Sequence, residues 1–252
     1  MAKESGLGAG LLVAGYDYTG DITAVNSISG GPKLTEAVTG IDKLAMERIG
    51  LQRDGHMDIT NWFNPAANMS HKRLGLLPTT DVQVQYWHRQ VIARPVACCV
   101  AKQANYDPTR AQDGSFTMET QFMANGFGLE WCTGLTAFKR TDTTATAGTA
   151  VDMTTPAFTG SSTFGLQAYL QVFAFTGTSA TITIQESSDN GADAYANVVG
   201  GGFTTVTGIT HERIQTSRTL TVERYLKVTT TGTFSNLIFS VAVARNDTLT
   251  AF

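Results

Sequence analysis

The sequence predicts an all-β protein, and three observations carry the reading. Apolar and polar residues alternate with a period of two in several separate segments, the pattern of strands with one buried face. Asp-Gly and Asn-Gly pairs, which tolerate the positive φ of tight hairpins, stand at 113–114 and 190–191. Helical periodicity is confined to two short stretches.

The strands follow in order. Residues 22–28 (ITAVNSI) alternate, and so do 57–63 (MDITNWF), which are entered through the turn Arg53-Asp54-Gly55-His56. Residues 82–87 (VQVQYW) and 116–122 (FTMETQF) alternate more cleanly, the second after the turn Gln112-Asp113-Gly114-Ser115. Two short helices are expected between strands. One covers 42–49 (DKLAMERI), capped by Asp42 and ended by Gly50. The other covers 65–74 (PAANMSHKRL), with Pro65 in the first turn, a basic last turn and Gly75 beyond.

From Thr141 the texture changes. Residues 141–162 are rich in Thr, Ala and Gly with no periodic core signal, which predicts a linker or extended arm. A second β set follows: 166–175 (LQAYLQVFAF), 180–185 (ATITIQ), the turn 187–191 (SSDNG), 224–228 (RYLKV) and 237–243 (LIFSVAV). The expected organisation is therefore an assembly domain over 1–140, the linker or arm over 141–162, and a surface β-sandwich over 163–252.

Composition narrows the function. Of 252 residues, 42% are hydrophobic, enough for a sizeable core. Only 15% are charged, against about 25% in an average domain, and small neutral polar residues fill the gap. Such a surface suits strands and protein–protein packing. The net charge of −3 supplies no basic excess for phosphate binding, so nucleic acid is not expected as a specific ligand. Residues 1–140 hold 13 basic and 13 acidic side chains, whereas 141–252 hold 5 and 8. Cys98, Cys99 and Cys132 are odd in number and irregular in spacing, which predicts free buried thiols and a reducing compartment. The apolar stretch 6–15 lacks a basic start and reads as a close-packing N-terminal arm, not a secretion signal. No run approaches the ~18 apolar residues of a membrane-spanning helix.

No catalytic constellation emerges, and the sequence predicts no enzyme, no catalytic, metal or cofactor-binding residues and no cofactor. Gly6-Leu7-Gly8-Ala9-Gly10 echoes a dinucleotide loop without the strand that must precede it. His211-Glu212-Arg213-Ile214-Gln215 opens like a zinc-protease helix, but Gln215 stands where the second ligand belongs. Asp189, Asn190, Gly191 and Asp193 have the composition of a calcium loop without its spacing, and a hairpin turn explains them. His56, His71, His88 and His211 stand far apart in sequence. Trp62, Trp87 and Trp131 are expected to pack in a core or an interface, where each buries roughly 150–250 Å².

An ordered series of phrases completes the reading. It runs through 20–25 (GDITAV), 34–43 (LTEAVTGIDK), 47–55 (ERIGLQRDG), 57–60 (MDIT) and Phe63-Asn64-Pro65. It continues through 77–82 (LPTTDV), 100–110 (VAKQANYDPTR) and 125–131 (NGFGLEW). This order resembles the major tail (tail-tube) proteins of long-tailed bacteriophages, those of actinobacteria in particular. The run 169–173 (YLQVF), 185–190 (QESSDN) and 224–228 resembles the β-sandwich module, jelly-roll or immunoglobulin-like, appended to many of them. The resemblance spans nearly the whole chain, although no single phrase is diagnostic.

The family implies a β-sandwich that closes into hexameric rings, stacked around a lumen through which DNA passes without specific binding. Edge strands pairing between subunits would build the barrel, and head-to-tail ring contacts an open filament. Implied partners are further copies of the chain and the tape-measure, tail-terminator and distal tail proteins, with no membrane. Implied localisation is the virion tail, assembled in the host cytoplasm. The N-terminal stretch and residues 141–162 would be arms that order on stacking. Two alternatives stay open: a carbohydrate-binding or adhesion module using Tyr169, Phe173 and Tyr225, and a head-decoration protein.

Overall fold

The computed structural model describes residues 4–35, 39–156 and 158–249. In chain order these form β1 (Gly10–Val13), β2 (Tyr16–Asp17), β3 (Ile22–Thr35), β4 (Ile49–Trp62), α1 (Ser70–Leu74), β5 (Val82–Trp87), β6 (Pro95–Gln103), β7 (Asp107–Arg110) and β8 (Phe116–Ala124). β9 (Glu130–Gly134), β10 (Arg140–Asp142), β11 (Val151–Asp152), β12 (Leu166–Ser187), β13 (Ala196–Gly202), β14 (Thr210–Gln215) and β15 (Tyr225–Arg245) follow. The fold is all-β, as the alternation predicts.

Contacts divide the chain into two compact units. One comprises Met1–Gly20, Gln83–Cys98 and Trp131–Phe252; the other comprises Asp21–Val82 and Cys99–Glu130. The larger unit is assembled from segments distant in sequence: β1 pairs with β5, and the Gln171 side chain on β12 hydrogen-bonds Leu12 and Gly15.

The larger unit is organised by one long antiparallel ladder. β12 and β15 pair from Leu166↔Arg245 to Ser187↔Tyr225. A straight strand of 22 residues would span roughly 70 Å. Register shifts between Val172 and Ala174, Thr176 and Gly177, and Gly177 and Ser179 instead break the ladder at its middle. Two glycines permit this. Gly177 (φ +155°) and Gly232 (φ +119°) adopt backbone that side chains avoid, and a Cβ on either would lie 2.4 Å from backbone across the ladder. Leu166 and Leu170 on one half and Ile182 and Ile184 on the other then share one buried core with Val228, Phe239 and Val241.

Short strands cover the outer edges of this ladder. β13 and β14 pair with β12, and β9, β10 and β11 pair with β15. Of the segment expected as a linker or extended arm, β11 and the end of β10 pair with β15, Ala147 bridges Thr229 on β15, and Ser162 bridges Val222 just before it. β10 is fastened by chemistry as well. The buried carboxylate of Asp142 takes Arg140 Nε at 2.8 Å, Arg140 Nη2 at 2.7 Å and the Thr230 hydroxyl at 2.7 Å.

The N-terminal arm reading is corrected here. β1 is buried at all four positions and pairs with β5 over Gly10↔Trp87 to Val13↔Val84. Gly10 lies against the Phe138 ring, where a Cβ would approach to 2.5 Å, so the glycine serves close packing.

A second expectation also changes. Alternation in 82–87 predicts exposed glutamines, yet Gln83 and Gln85 are buried. Their amides belong to a closed network. Gln171 Oε1 accepts the Gly15 N–H at 2.9 Å, and Gln171 Nε2 reaches the Leu12 and Gln83 carbonyls at 3.3 Å. Gln85 Nε2 donates to Gln83 Oε1, and Gln85 Oε1 accepts from Trp87 Nε1 and the Ser240 hydroxyl. Gln83 Nε2 donates to the Glu212 carbonyl at 2.8 Å. Satisfied in this way, buried amides fix the register of the segments they join.

The smaller unit is built on the β3–β4 hairpin. β8 pairs with β4 over His56–Trp62, and β7 and the end of β6 pair with β8. Met57, Ile59, Met118 and Phe122 point inward at the predicted period, with Asn61 buried among them and accepting the Thr120 hydroxyl at 3.2 Å. The Asp113-Gly114 turn forms as predicted, with Gly114 at φ +92° and Asp113 Oδ1 accepting the Ser115 N–H.

Of the two expected helices, only the end of the second is present: α1 spans Ser70–Leu74. The buried Asp21 carboxylate organises its start, accepting the Ser70 N–H at 3.1 Å and Asn64 Nδ2 at 2.8 Å. Residues 42–48 form turns and bends, and Ile49 already opens β4. An eight-residue helix is marginal without a packing partner, and Ile41 and Leu44 are fully exposed, so there is none.

Replacing Gln171 by Leu orphans the Gly15 N–H in a buried site. The variant is expected to lose about 3 kcal/mol in urea unfolding, with the loss in midpoint and no change in slope.

Candidate assembly surface

The chemistry-bearing residues singled out in the sequence do not converge. His56 Nε2 lies 3.1 Å from the Ser27 hydroxyl and 3.6 Å from Asp58, all within the β3–β4 sheet. His71 stacks on Phe63 at 4.3 Å and faces the Tyr106 hydroxyl at 3.4 Å. His88 joins Arg89 and Arg94 around the Glu4 carboxylate, and Arg94 first, then Arg89, holds that carboxyl below its usual range. His211, on β14, is half-buried, and loss of solvation lowers its pKa. Among the described residues no group of three or more His, Cys, Asp or Glu side chains is placed to hold a metal. No described helix is long and apolar enough to cross a membrane.

The Asp189 loop is a hairpin turn, as expected. Asn190 sits at φ +60°. Asp189 Oδ1 accepts the N–H groups of Gly191 and Asp193, and Asp193 Oδ2 accepts that of Ser188. Both carboxylates are turned onto backbone donors, which pull their pKa values down. The three cysteines are buried and form no disulfide. Burial, with the charge of Glu130 adding to it, pushes the Cys99 thiol up to about 12, so it is not nucleophilic at neutral pH.

The aromatic residues divide. Trp87 is fully buried against Phe138, edge to face at 5.9 Å, as expected of a core residue, while Trp62 and Trp131 are exposed in the chain and do not belong to its core. Tyr169, proposed with Phe173 and Tyr225 as a sugar platform, is fully buried under Arg213, whose Nε donates to its hydroxyl at 3.2 Å. A ring covered on that face offers no stacking surface.

What remains is a feature the sequence concealed. Among the described residues β4 pairs with β8 over His56–Trp62, and Ile49–Gly55 pairs only with β3. This distal ribbon carries exposed Leu34, Ile49 and Leu51, and the loop beyond it carries exposed Ile41, Leu44 and Met46. Ile49 and Leu51 share one face, and Leu34, opposite Gly50, lies on the other. Among the described residues β3 pairs with no other strand, but Pro32 and three register shifts interrupt its free edge. Those breaks blunt simple strand addition. Side-chain contact is therefore the chemistry this ribbon offers. Large apolar side chains grouped on a projecting element mark an association surface. Leu44, Met46 and Ile49 fall within the stretch 42–49, which the sequence assigns to a short helix.

No protein-family model matches the chain, and no curated protein matches it. Several solved structures share a likeness of low score. A chain from the virion of a native gene transfer agent particle is 16% identical, covering 51% of this chain and 98% of its own, at a TM-score of 0.39. The Dit protein of phage SPP1, described as a hub adsorption apparatus of phages infecting Gram-positive hosts, is 14% identical over 94% and 99%, at 0.33. A chain of the phage p2 baseplate in its activated conformation is 12% identical over 96% and 99%, at 0.34.

The turn region generates a pH prediction. Burial first, then the Asp193 charge, raises the carboxyl of Glu186, whose Oε2 accepts the Glu223 N–H at 2.8 Å. A raised acid pKa in the folded state penalises the ionised form, so the penalty is present at neutral pH and vanishes below the ordinary carboxylate range. Glu186→Gln is expected to raise Tm at pH 7, and the gain should disappear in melts recorded below about pH 4.

Proposed function

We propose that this protein is a non-enzymatic structural subunit of a virus particle, a bacteriophage tail-tube protein that assembles with copies of itself. The observation that carries the reading is the distal β3–β4 ribbon, with Leu34, Ile41, Leu44, Met46, Ile49 and Leu51 held in solvent. The ordered phrases between residues 20 and 131 that resemble major tail proteins support it independently.

The two units divide the labour in this reading. The larger unit covers the edges of its central ladder and buries its amides, which suits a body that does not polymerise through its sheet. The smaller unit presents apolar side chains to which another copy offers the complementary partner. A head-to-tail contact of this kind generates a ring when the rotation closes and a filament when it does not. Hexameric rings stacked into a tube, with DNA passing through the lumen and tape-measure, terminator and distal tail proteins at the ends, are the specific form proposed. Assembly in the host cytoplasm agrees with three unbridged cysteines.

The test is assembly of the full chain followed by electron microscopy and sedimentation. Tubes of uniform width are expected to form with rising concentration. Changing Leu44 and Ile49 together to Asp is expected to leave the circular dichroism unchanged and to reduce assembly by at least about tenfold, since losing two buried apolar side chains removes more than the 1.4 kcal/mol per decade. A chain that stays monomeric at every concentration, even with tail-assembly partners present, would sink the proposal.

A further inference from the structure

Trp131 lies in the larger unit, on β9, where the alternation of that strand turns Glu130 and Cys132 inward and leaves the indole 60% exposed. The exposed indole borders a concavity, so its ring is available to a ligand there. The concavity holds about 330 Å³. Trp131 and Thr133 line it from β9, Asp152, Thr154 and Thr155 from the end of β11 and the residues after it, and Arg245 from the end of β15. Its size falls at the lower end of small-ligand sites.

The hydrogen-bonding state of these groups limits what fits. Asp152 is held by Arg224, Nε to Oδ1 at 3.0 Å and Nη2 to Oδ2 at 2.6 Å, and Oδ1 also accepts both the N–H and the hydroxyl of Thr154. Arg245 spends its terminal nitrogens on the carbonyls of Gly160, Glu223 and Met153 at 2.8 to 3.1 Å. Asp152 is neutralised by Arg224, while Arg245 has its terminal nitrogens on backbone carbonyls and its Nε buried without a partner among the described residues, so neither side chain turns a charged group toward a ligand in the concavity. The threonines retain capacity. The Thr154 hydroxyl donates to Asp152 and keeps its lone pairs. The Thr155 hydroxyl accepts the Phe158 N–H at 3.1 Å and keeps its proton to donate. An aromatic face flanked by one hydroxyl donor and one acceptor matches a neutral sugar ring, whose C–H face packs on an aromatic plane while its hydroxyls both give and take hydrogen bonds.

We infer that the Trp131 concavity is a binding site for a neutral pyranose residue. The inference is independent of self-assembly, and it places the site on residues other than Tyr169, Phe173 and Tyr225. The probes are the methyl β-glycosides of glucose, galactose and N-acetylglucosamine, added to the full-length protein below its assembly concentration. Binding is followed by saturation-transfer NMR and by tryptophan fluorescence. Saturable binding of at least one glycoside is expected. Trp131→Ala should weaken it by about tenfold or more and Thr155→Val by a few-fold. Trp62→Ala, in the other unit, should leave it unchanged. Thr155→Val keeps the test decisive if the tryptophan variant fails to fold, because it removes one hydroxyl and preserves shape. No saturable transfer with any of the three glycosides would overturn the inference, as would equal binding by both site variants and the parent. Shielding of Trp131 only when the protein self-associates, without glycoside binding, would assign the residue to a contact between copies and would equally overturn it.

Discussion

The larger unit depends on one constraint: the β12–β15 ladder must be bent at its middle so that both halves bury side chains in the same core. A ladder of this length cannot stay straight inside a compact body. Gly177 and Gly232 make the bend sterically feasible, and the register shifts around Val172 to Ser179 supply it. The bend brings Leu166, Leu170, Ile182 and Ile184 into one cluster. Edge coverage then follows, since β13 and β14 find free backbone on β12, and β9, β10 and β11 find it on β15. The bidentate Arg140–Asp142 pair and the Thr230 hydroxyl hold β10 where its three residues alone would not.

Burial of polar groups is the second organising theme. Gln83, Gln85, Gln171 and Ser240 lie in the interior, where an unpaired amide costs about 1–3 kcal/mol. Each finds a partner, and those partners sit on β1, β5, β12, β14 and β15 and on Gly15 beside β1. An apolar core tolerates small slips of one segment past another, whereas a closed amide network does not, because a slip strands several donors together. This makes the N-terminal strand an integral part of the unit.

The two units contrast in how they treat their surfaces. The larger covers its ladder edges and turns acidic loop residues onto backbone donors. The smaller leaves a two-stranded ribbon in solvent with six large apolar side chains on it or in its loop. A two-stranded ribbon is marginal by itself, and exposing apolar surface on it adds cost in the isolated chain. That cost would be recovered on association, which is what the proposed self-assembly supplies.

Much of the fold was legible in the sequence because period two is a local signal. The strands over Met57, Ile59, Met118, Phe122, Ile182 and Ile184 could be read from alternation, and the Asp113-Gly114 and Asn190-Gly191 turns from backbone chemistry of single residues. What tertiary structure decided was everything that depends on a second surface. Gln83 and Gln85 look solvent-facing until β12 and β14 bring amide and carbonyl partners to them. The stretch 42–49 looks helical until its apolar side chains prove to have nothing to pack against. Whether Trp131 packs in a core or faces outward is decided by β9, which turns it outward beside Asp152, Thr154, Thr155 and Arg245. Sequence determines the period and the turns, because these are set within a few residues. Which face is buried is set by what the chain brings from a hundred residues away, and no local pattern carries that.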